Sequence, residues 1–139
     1  MVENPMPGQT NDDPRKLSAM VAHASELAEN HDVRSVMVGL TADAGDTRFP
    51  EYVHYLQSSL RVEDRIFRMT RERAVVLLAD CEVEQAEKIL TRLMSEFMDE
   101  FPSLTEPRFE RRCVEVKPHG EKMRVKDVLT AVFAPRFLH

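Results

Sequence analysis

The chain has 139 residues, 42% of them hydrophobic and 31% charged, with a formal net charge of −5. That length fits one domain able to bury its own core. Ordinary apolar content, no run of about 18 apolar residues and only two cysteines, Cys81 and Cys113, argue against a disordered chain, a membrane span and a disulfide scaffold, and the acidic balance argues against a nucleic-acid coat.

Residues 1–13 combine Pro5, Pro7, Gly8, Asn4, Asn11 and the acids Glu3, Asp12 and Asp13, with almost nothing to bury. They read as a mobile tail, and 14–139 as a single domain. The N-terminus has neither a basic stretch nor an apolar stretch of the kind that directs secretion, so a cytoplasmic protein with reduced cysteines is expected.

The first helix is predicted over 14–30. Asp13 is a good cap, Pro14 suits the first helical position, and Leu17, Met20, Val21, Ala24, Leu27 and Ala28 recur at helical spacing. The Val-rich run 33–40 reads as a buried central strand, followed by a loop over 42–47 punctuated by Gly45. Pro50 opens a second helix to about Leu60, carrying Tyr52, Val53 and Leu56. Strands over 65–69 and 74–79 lie at hairpin distance. Asp80 is the expected cap of the next helix, which carries Val83, Ala86, Leu90, Leu93 and Phe97 and ends at Phe101–Pro102. Met94 and Met98 are expected at the core or its margin.

Over 108–117, Phe109, Arg111, Cys113 and Glu115 alternate with Val114 and Val116, the pattern of a strand nearer an edge. Pro118–Gly120 is a turn, and 125–133 a last short helix. The order α-β-α-β-β-α-β-α, with a hairpin inside an alternating pattern, implies an α+β fold: a mixed sheet with helices on both faces.

Residues 60–93, LRVEDRIFRMTRERAVVLLADCEVEQAEKILTRL, resemble the signature region of the GGDEF family, the diguanylate cyclases. That family shows Arg-x-x-Asp, five residues, then Gly-Gly-Asp/Glu-Glu-Phe at a hairpin, an apolar strand and a helix. Here Arg61 and Asp64 supply the first motif, Arg68 matches an arginine two places before the signature, and Thr70-Arg71-Glu72-Arg73-Ala74 stands at the signature itself. The resemblance implies a nucleotidyl-cyclase-like fold and a role in bacterial signal transduction. It covers 16–133 in element order but is residue-specific only over 60–93.

The signature is degenerate. Thr70 and Arg71 replace glycines that let the backbone approach a triphosphate. Glu72 could stand for one metal-binding acid, but Arg73 reverses the charge of the next. The metal-binding acid at the end of the family's first strand falls on Thr41 or Asp43 here. The helix that holds guanine in active members has little room in the roughly thirty residues between Thr41 and the hairpin. No cyclase activity is expected.

The resemblance also implies a product-binding site for cyclic di-GMP formed by Arg61, Asp64 and an arginine on the following helix, for which Arg92 is in register. Arginine can fork onto guanine O6 and N7 or clamp a phosphate, and a carboxylate can accept from guanine N–H groups. The plainer alternatives are a solvated turn for Arg61–Asp64 and a helical ion pair of Arg92 with Glu96. Five arginines between 61 and 73 could attract a phosphate-bearing ligand or simply guard a strand edge. The histidines and cysteines share no ligand spacing, so neither a metal nor a cofactor is expected, and Cys81, without a nearby base, reads as inert. Two functions follow: a cyclic di-GMP receptor, or an interaction module that binds no nucleotide and acts by forming a homodimer or docking on another signalling protein. Neither nucleic acid nor membrane is an expected partner.

Overall fold

The computed structural model describes residues 11–103 and 107–133. Residues 1–10 of the predicted tail, and 134–139 of the predicted domain, lie outside the described residues. The elements follow the predicted order: α1 (Pro14–His31), β1 (Ser35–Thr41), α2 (Arg48–Ser59), β2 (Arg65–Arg68), β3 (Arg73–Ala79), α3 (Val83–Glu100), β4 (Glu110–Val116) and α4 (Val125–Val132).

Local chemistry sets the boundaries. Asp13 accepts the backbone N–H of Arg15 at 2.9 Å and Pro14 is the first helical residue, so α1 starts where expected. α2 begins two residues before Pro50, because the Asp46 carboxylate takes the N–H groups of Arg48 (2.8 Å) and Phe49 (3.1 Å). Pro50 therefore sits in the first turn, where a missing N–H costs nothing. The expected cap of α3, Asp80, is displaced by Glu82, whose N–H is taken by Gln85 at 2.9 Å in a reciprocal capping box. Asp80 instead adopts φ +53°, and this left-handed turn leads Cys81 back to donate its N–H to the Arg34 carbonyl at 3.2 Å.

The sheet has the order β2-β3-β1-β4. Its pairings are antiparallel throughout, not mixed as expected. The parallel relations do exist, but between strands that are not neighbours. β1 and β2 run the same way with β3 between them, and β3 and β4 run the same way with β1 between them. Two β-α-β units, β1-α2-β2 and β3-α3-β4, are interleaved so that each splits the other.

That interleaving puts α2 and α3 together on one face, as two right-handed crossovers of opposite direction require. There they bury Val36, Val38, Leu40, Val76 and Leu78 beneath Phe49, Tyr52, Leu56, Leu90 and Phe97. Met94 and Met98 pack at the margin of this core, as expected. The other face holds Met37, Phe67, Val75 and Leu77 under Leu17, Met20, Val21 and Ala24 of α1 and Val128 and Val132 of α4. β1 is central and buried, and β4 lies at an edge, both as predicted.

Candidate functional site

The loop from α2 to β2 carries Arg61 and Asp64, and Asp64 organises it. Its carboxylate accepts the backbone N–H of Arg61 (3.1 Å), the backbone N–H of Ala79 at the end of β3 (3.1 Å), and the Arg61 Nε–H and Nη2–H groups (3.0 and 2.9 Å). Arg61 Nη2 also donates to the Ala79 carbonyl at 2.6 Å. The pair thus staples the loop to β3, and the Asp64 side chain is only 2% exposed. The hydrogen bond to Asp64 holds the Arg61 guanidinium above its already high ordinary pKa.

Arg61 itself remains 44% exposed, and its Nη1 edge lies 3.4 Å from the Glu63 carboxylate. Val62, at the tip of the same turn, is 92% exposed. Arg92 lies on α3 at 65% exposure, with Glu96 at 3.8 Å. Among the described residues no hydrogen bond or ion pair joins Arg92 to Arg61 or Asp64. Arg61 presents a guanidinium held by its own loop, and Arg92 one paired with Glu96 on its own helix.

Thr70, Arg71, Glu72 and Arg73, the residues expected at the signature, form the tip of the β2–β3 hairpin. Met69 and Thr70 both donate to the Arg73 carbonyl (3.0 and 3.1 Å), and Thr70 Oγ1 accepts from the Glu72 N–H (3.1 Å). The Glu72 carbonyl takes the N–H of Ala42, just past β1, at 2.8 Å. Arg73 pairs in register with Thr41 and places its guanidinium 5.1 Å from the centre of the Phe133 ring, after α4. Ala74 is fully buried. A basic side chain thus stands beside the end of β1, and among the described residues no group of three or more potential metal ligands occurs.

Two further arginines near the hairpin, Arg65 and Arg68, are also engaged. Arg65 donates to the carbonyls of Val62 (2.6 Å) and Asp64 (2.9 Å). Arg68 is held by Asp12: backbone pairs with backbone, and the Asp12 carboxylate accepts both the Arg68 N–H (2.8 Å) and its guanidinium (2.9 Å). Burial pushes the Asp12 carboxyl upward, but the Arg68 hydrogen bonds and the nearby charges of Lys16 and Arg68 outweigh it, leaving the group below its usual range. Asp12 and Asp13, assigned to the tail in the sequence, are thus built into the fold at β2 and α1.

The predicted inertness of Cys81 has a physical basis: burial pushes its thiol up to about 11, as it does for Cys113. The sequence gives no sign of Ala79 as a partner of Asp64, because its contribution is backbone. Nor does it single out an open cleft of about 890 Å³ between β4 and α4, where Lys117, Lys122 and Arg124 alternate with Glu115, Glu121 and Asp127. Arg124 is already paired to Asp127 at 3.6 Å and Lys117 to Glu115 at 3.9 Å.

By sequence, no family model and no curated protein matches the chain. By structure, it is similar to the GGDEF domain of FimX from Pseudomonas aeruginosa, with a TM-score of 0.70 at 11% identity over 95% of this chain and 90% of that one. The GGDEF domain of DgcB from Caulobacter crescentus, solved in complex with c-di-GMP, gives 0.62 at 13% identity over 93% and 84%. PelD 156–455 from Pseudomonas aeruginosa PA14, also in complex with c-di-GMP, gives 0.62 at 22% identity over 79% of this chain and 42% of that one. The chain has a GGDEF-like fold.

Proposed function

We propose that this chain is a GGDEF-like signalling domain that makes no cyclic di-GMP and receives it instead, through the outward edge of Arg61 with Arg92 on the neighbouring helix. The observation that carries the reading is the Arg61–Asp64 staple. Asp64 fixes the guanidinium with one edge left toward solvent, so little conformational entropy remains to be lost when a phosphate or guanine is clamped. The likeness to PelD and DgcB, both solved with c-di-GMP, supports the ligand class. The hairpin supports the absence of catalysis: Thr70 and Arg71 carry side chains where the family keeps bare backbone, and the Arg73 charge opposes a metal ion.

Isothermal titration with cyclic di-GMP is expected to give saturable binding. Arg92→Ala removes an exposed side chain with little consequence for the fold, and should weaken binding roughly tenfold. Arg61→Ala should weaken it roughly ten- to a hundred-fold. Changes at Arg71 should matter little. An absence of heat with excess ligand, or binding lost on Arg71→Ala but kept on Arg92→Ala, overturns the site. Incubation with GTP and Mg²⁺ or Mn²⁺ should yield no cyclic di-GMP.

A second reading, an interaction module without nucleotide binding, is favoured by the full occupancy of Asp64. Its carboxylate already takes four hydrogen bonds inside the protein and has little left to accept from a guanine N–H.

A further inference from the structure

The loop that carries Arg61 also carries a carboxylate that lies against it. A guanidinium has five N–H groups, and three of those on Arg61 are spent inside the protein. Nε–H and one Nη2–H go to Asp64, and the other Nη2–H goes to the Ala79 carbonyl. Nη1 is left to meet a ligand. The Glu63 carboxylate lies 3.4 Å from it.

Glu63 is kept there by its backbone. The turn from Arg61 to Asp64 is closed twice, by the Asp64 N–H on the Arg61 carbonyl (3.0 Å) and the Arg61 N–H on the Asp64 carboxylate (3.1 Å). Between these anchors the Glu63 carboxylate is an anion tethered beside Nη1 at high local concentration. Its side chain is nonetheless 48% exposed. A pair so open to solvent holds weakly, and an incoming group can take the place of the carboxylate.

Charge decides which group that is. A neutral acceptor such as a purine carbonyl would exchange a full negative charge at Nη1 for a dipole. A phosphate exchanges one anion for another and suits the fork of the guanidinium. Glu63, once displaced, faces the incoming charge at close range and opposes it.

Arg92 has a carboxylate of its own, differently placed. Glu96 lies 3.8 Å away, one helical turn on, and also accepts from Tyr55 Oη at 3.4 Å. The arginine stands N-terminal to the acid, the weaker order on a helix. Shared with Tyr55, Glu96 is the looser occupant of the two.

We propose that Glu63 is a built-in competitor for the ligand of Arg61: its carboxylate occupies Nη1 in the free protein, and a phosphate group replaces it on binding. The proposal rests on the receptor reading above. In titrations with cyclic di-GMP, Glu63→Gln should bind roughly two- to fivefold more tightly than wild type, the worth of an exposed ion pair. Glu96→Gln should gain less. Glu26→Gln removes the same charge from the exposed side of α1, across the sheet from α2, and should change nothing. Guanosine, the base without the phosphate, should compete poorly.

Equal affinities of wild type and Glu63→Gln overturn the proposal and leave the receptor reading standing. An equal gain in Glu26→Gln overturns it too, because net charge and not contact is then the cause. So does a larger gain from Glu96→Gln, or guanosine that competes as well as the dinucleotide. Binding by Glu63→Gln alone supports the competitor, with the wild-type affinity lying below detection. Silence from wild type and Glu63→Gln alike overturns both readings.

Discussion

Asp64 places one buried carboxylate on four donors from two separate stretches of chain. Removing it strands the N–H of Ala79 and of Arg61 and releases the α2–β2 loop from β3. Asp64→Ala should therefore cost about 2–4 kcal/mol of folding stability. Asp64→Asn, which keeps one acceptor oxygen, should cost less. Urea unfolding of the two variants measures the difference, and equal losses would mean that the geometry of the acceptor is irrelevant. Asp12 makes the matching prediction for pH. Its folded pKa lies below the ordinary carboxylate value, so its contribution is fully present above about pH 4 and fades as the pH falls through the folded value. Stability should decline toward acid in that window, and Asp12→Asn should show a shallower decline there. Parallel acid limbs in thermal melts of the two proteins would assign the dependence to other carboxylates.

At the level of elements, the contact of α4 with the sheet rests on Gly39 in β1. A Cβ placed there would stand 2.6 Å from the Val132 Cβ and 2.8 Å from its carbonyl oxygen. Side chain alone could yield, but the backbone oxygen obliges α4 to move, so Gly39→Ala should cost about 1–3 kcal/mol. Val132→Ala in the same chain should recover only part of that, since both the Cβ and the carbonyl of residue 132 remain. Full recovery in thermal melts would show that the helix backbone is not the constraint. The sequence carried the eight elements because each follows from neighbours in the chain: Asp13–Pro14 for a helix start, alternating Val114 and Val116 for a strand, the short link from β2 to β3 for a hairpin. It did not carry the antiparallel sheet, because α2 and α3 each return the chain in a parallel sense and nothing local reveals that another strand lies between. Gly39 passed unnoticed for the same reason, its necessity coming from a helix more than eighty residues later. At the candidate site the Arg61–Asp64 pair was legible from its three-residue spacing. Its closure onto Ala79 was not, since a backbone group leaves no mark in composition.

For the whole molecule, the consequence of a sheet covered on both faces is that α1 belongs to the same folding unit as the strands. Leu17, Met20, Val21, Ala24 and Ala28 bury Met37, Phe67, Val75 and Leu77, and Asp12, one residue before the cap of α1, grips β2 at the base of the hairpin. Whatever displaces α1 therefore bares one apolar face of the sheet and frees the hairpin together. Two truncations separate these effects. Deleting residues 1–13 removes the Asp12 clamp and the Asp13 cap but leaves the helix, so the chain should still fold with a loss of about 1–3 kcal/mol. Deleting residues 1–31 removes Leu17, Met20 and Val21 from the core at once, each worth about 2–5 kcal/mol by analogy with large-to-small core substitutions, together comparable to the roughly 5–15 kcal/mol that holds an ordinary domain together. That chain should lose cooperative unfolding and bind a hydrophobic dye, or aggregate through the uncovered strands. Far-ultraviolet circular dichroism and dye fluorescence of the two truncations decide the matter. If the shorter chain unfolds cooperatively at the midpoint of the longer one, α1 is an appendage and the face beneath it has another cover.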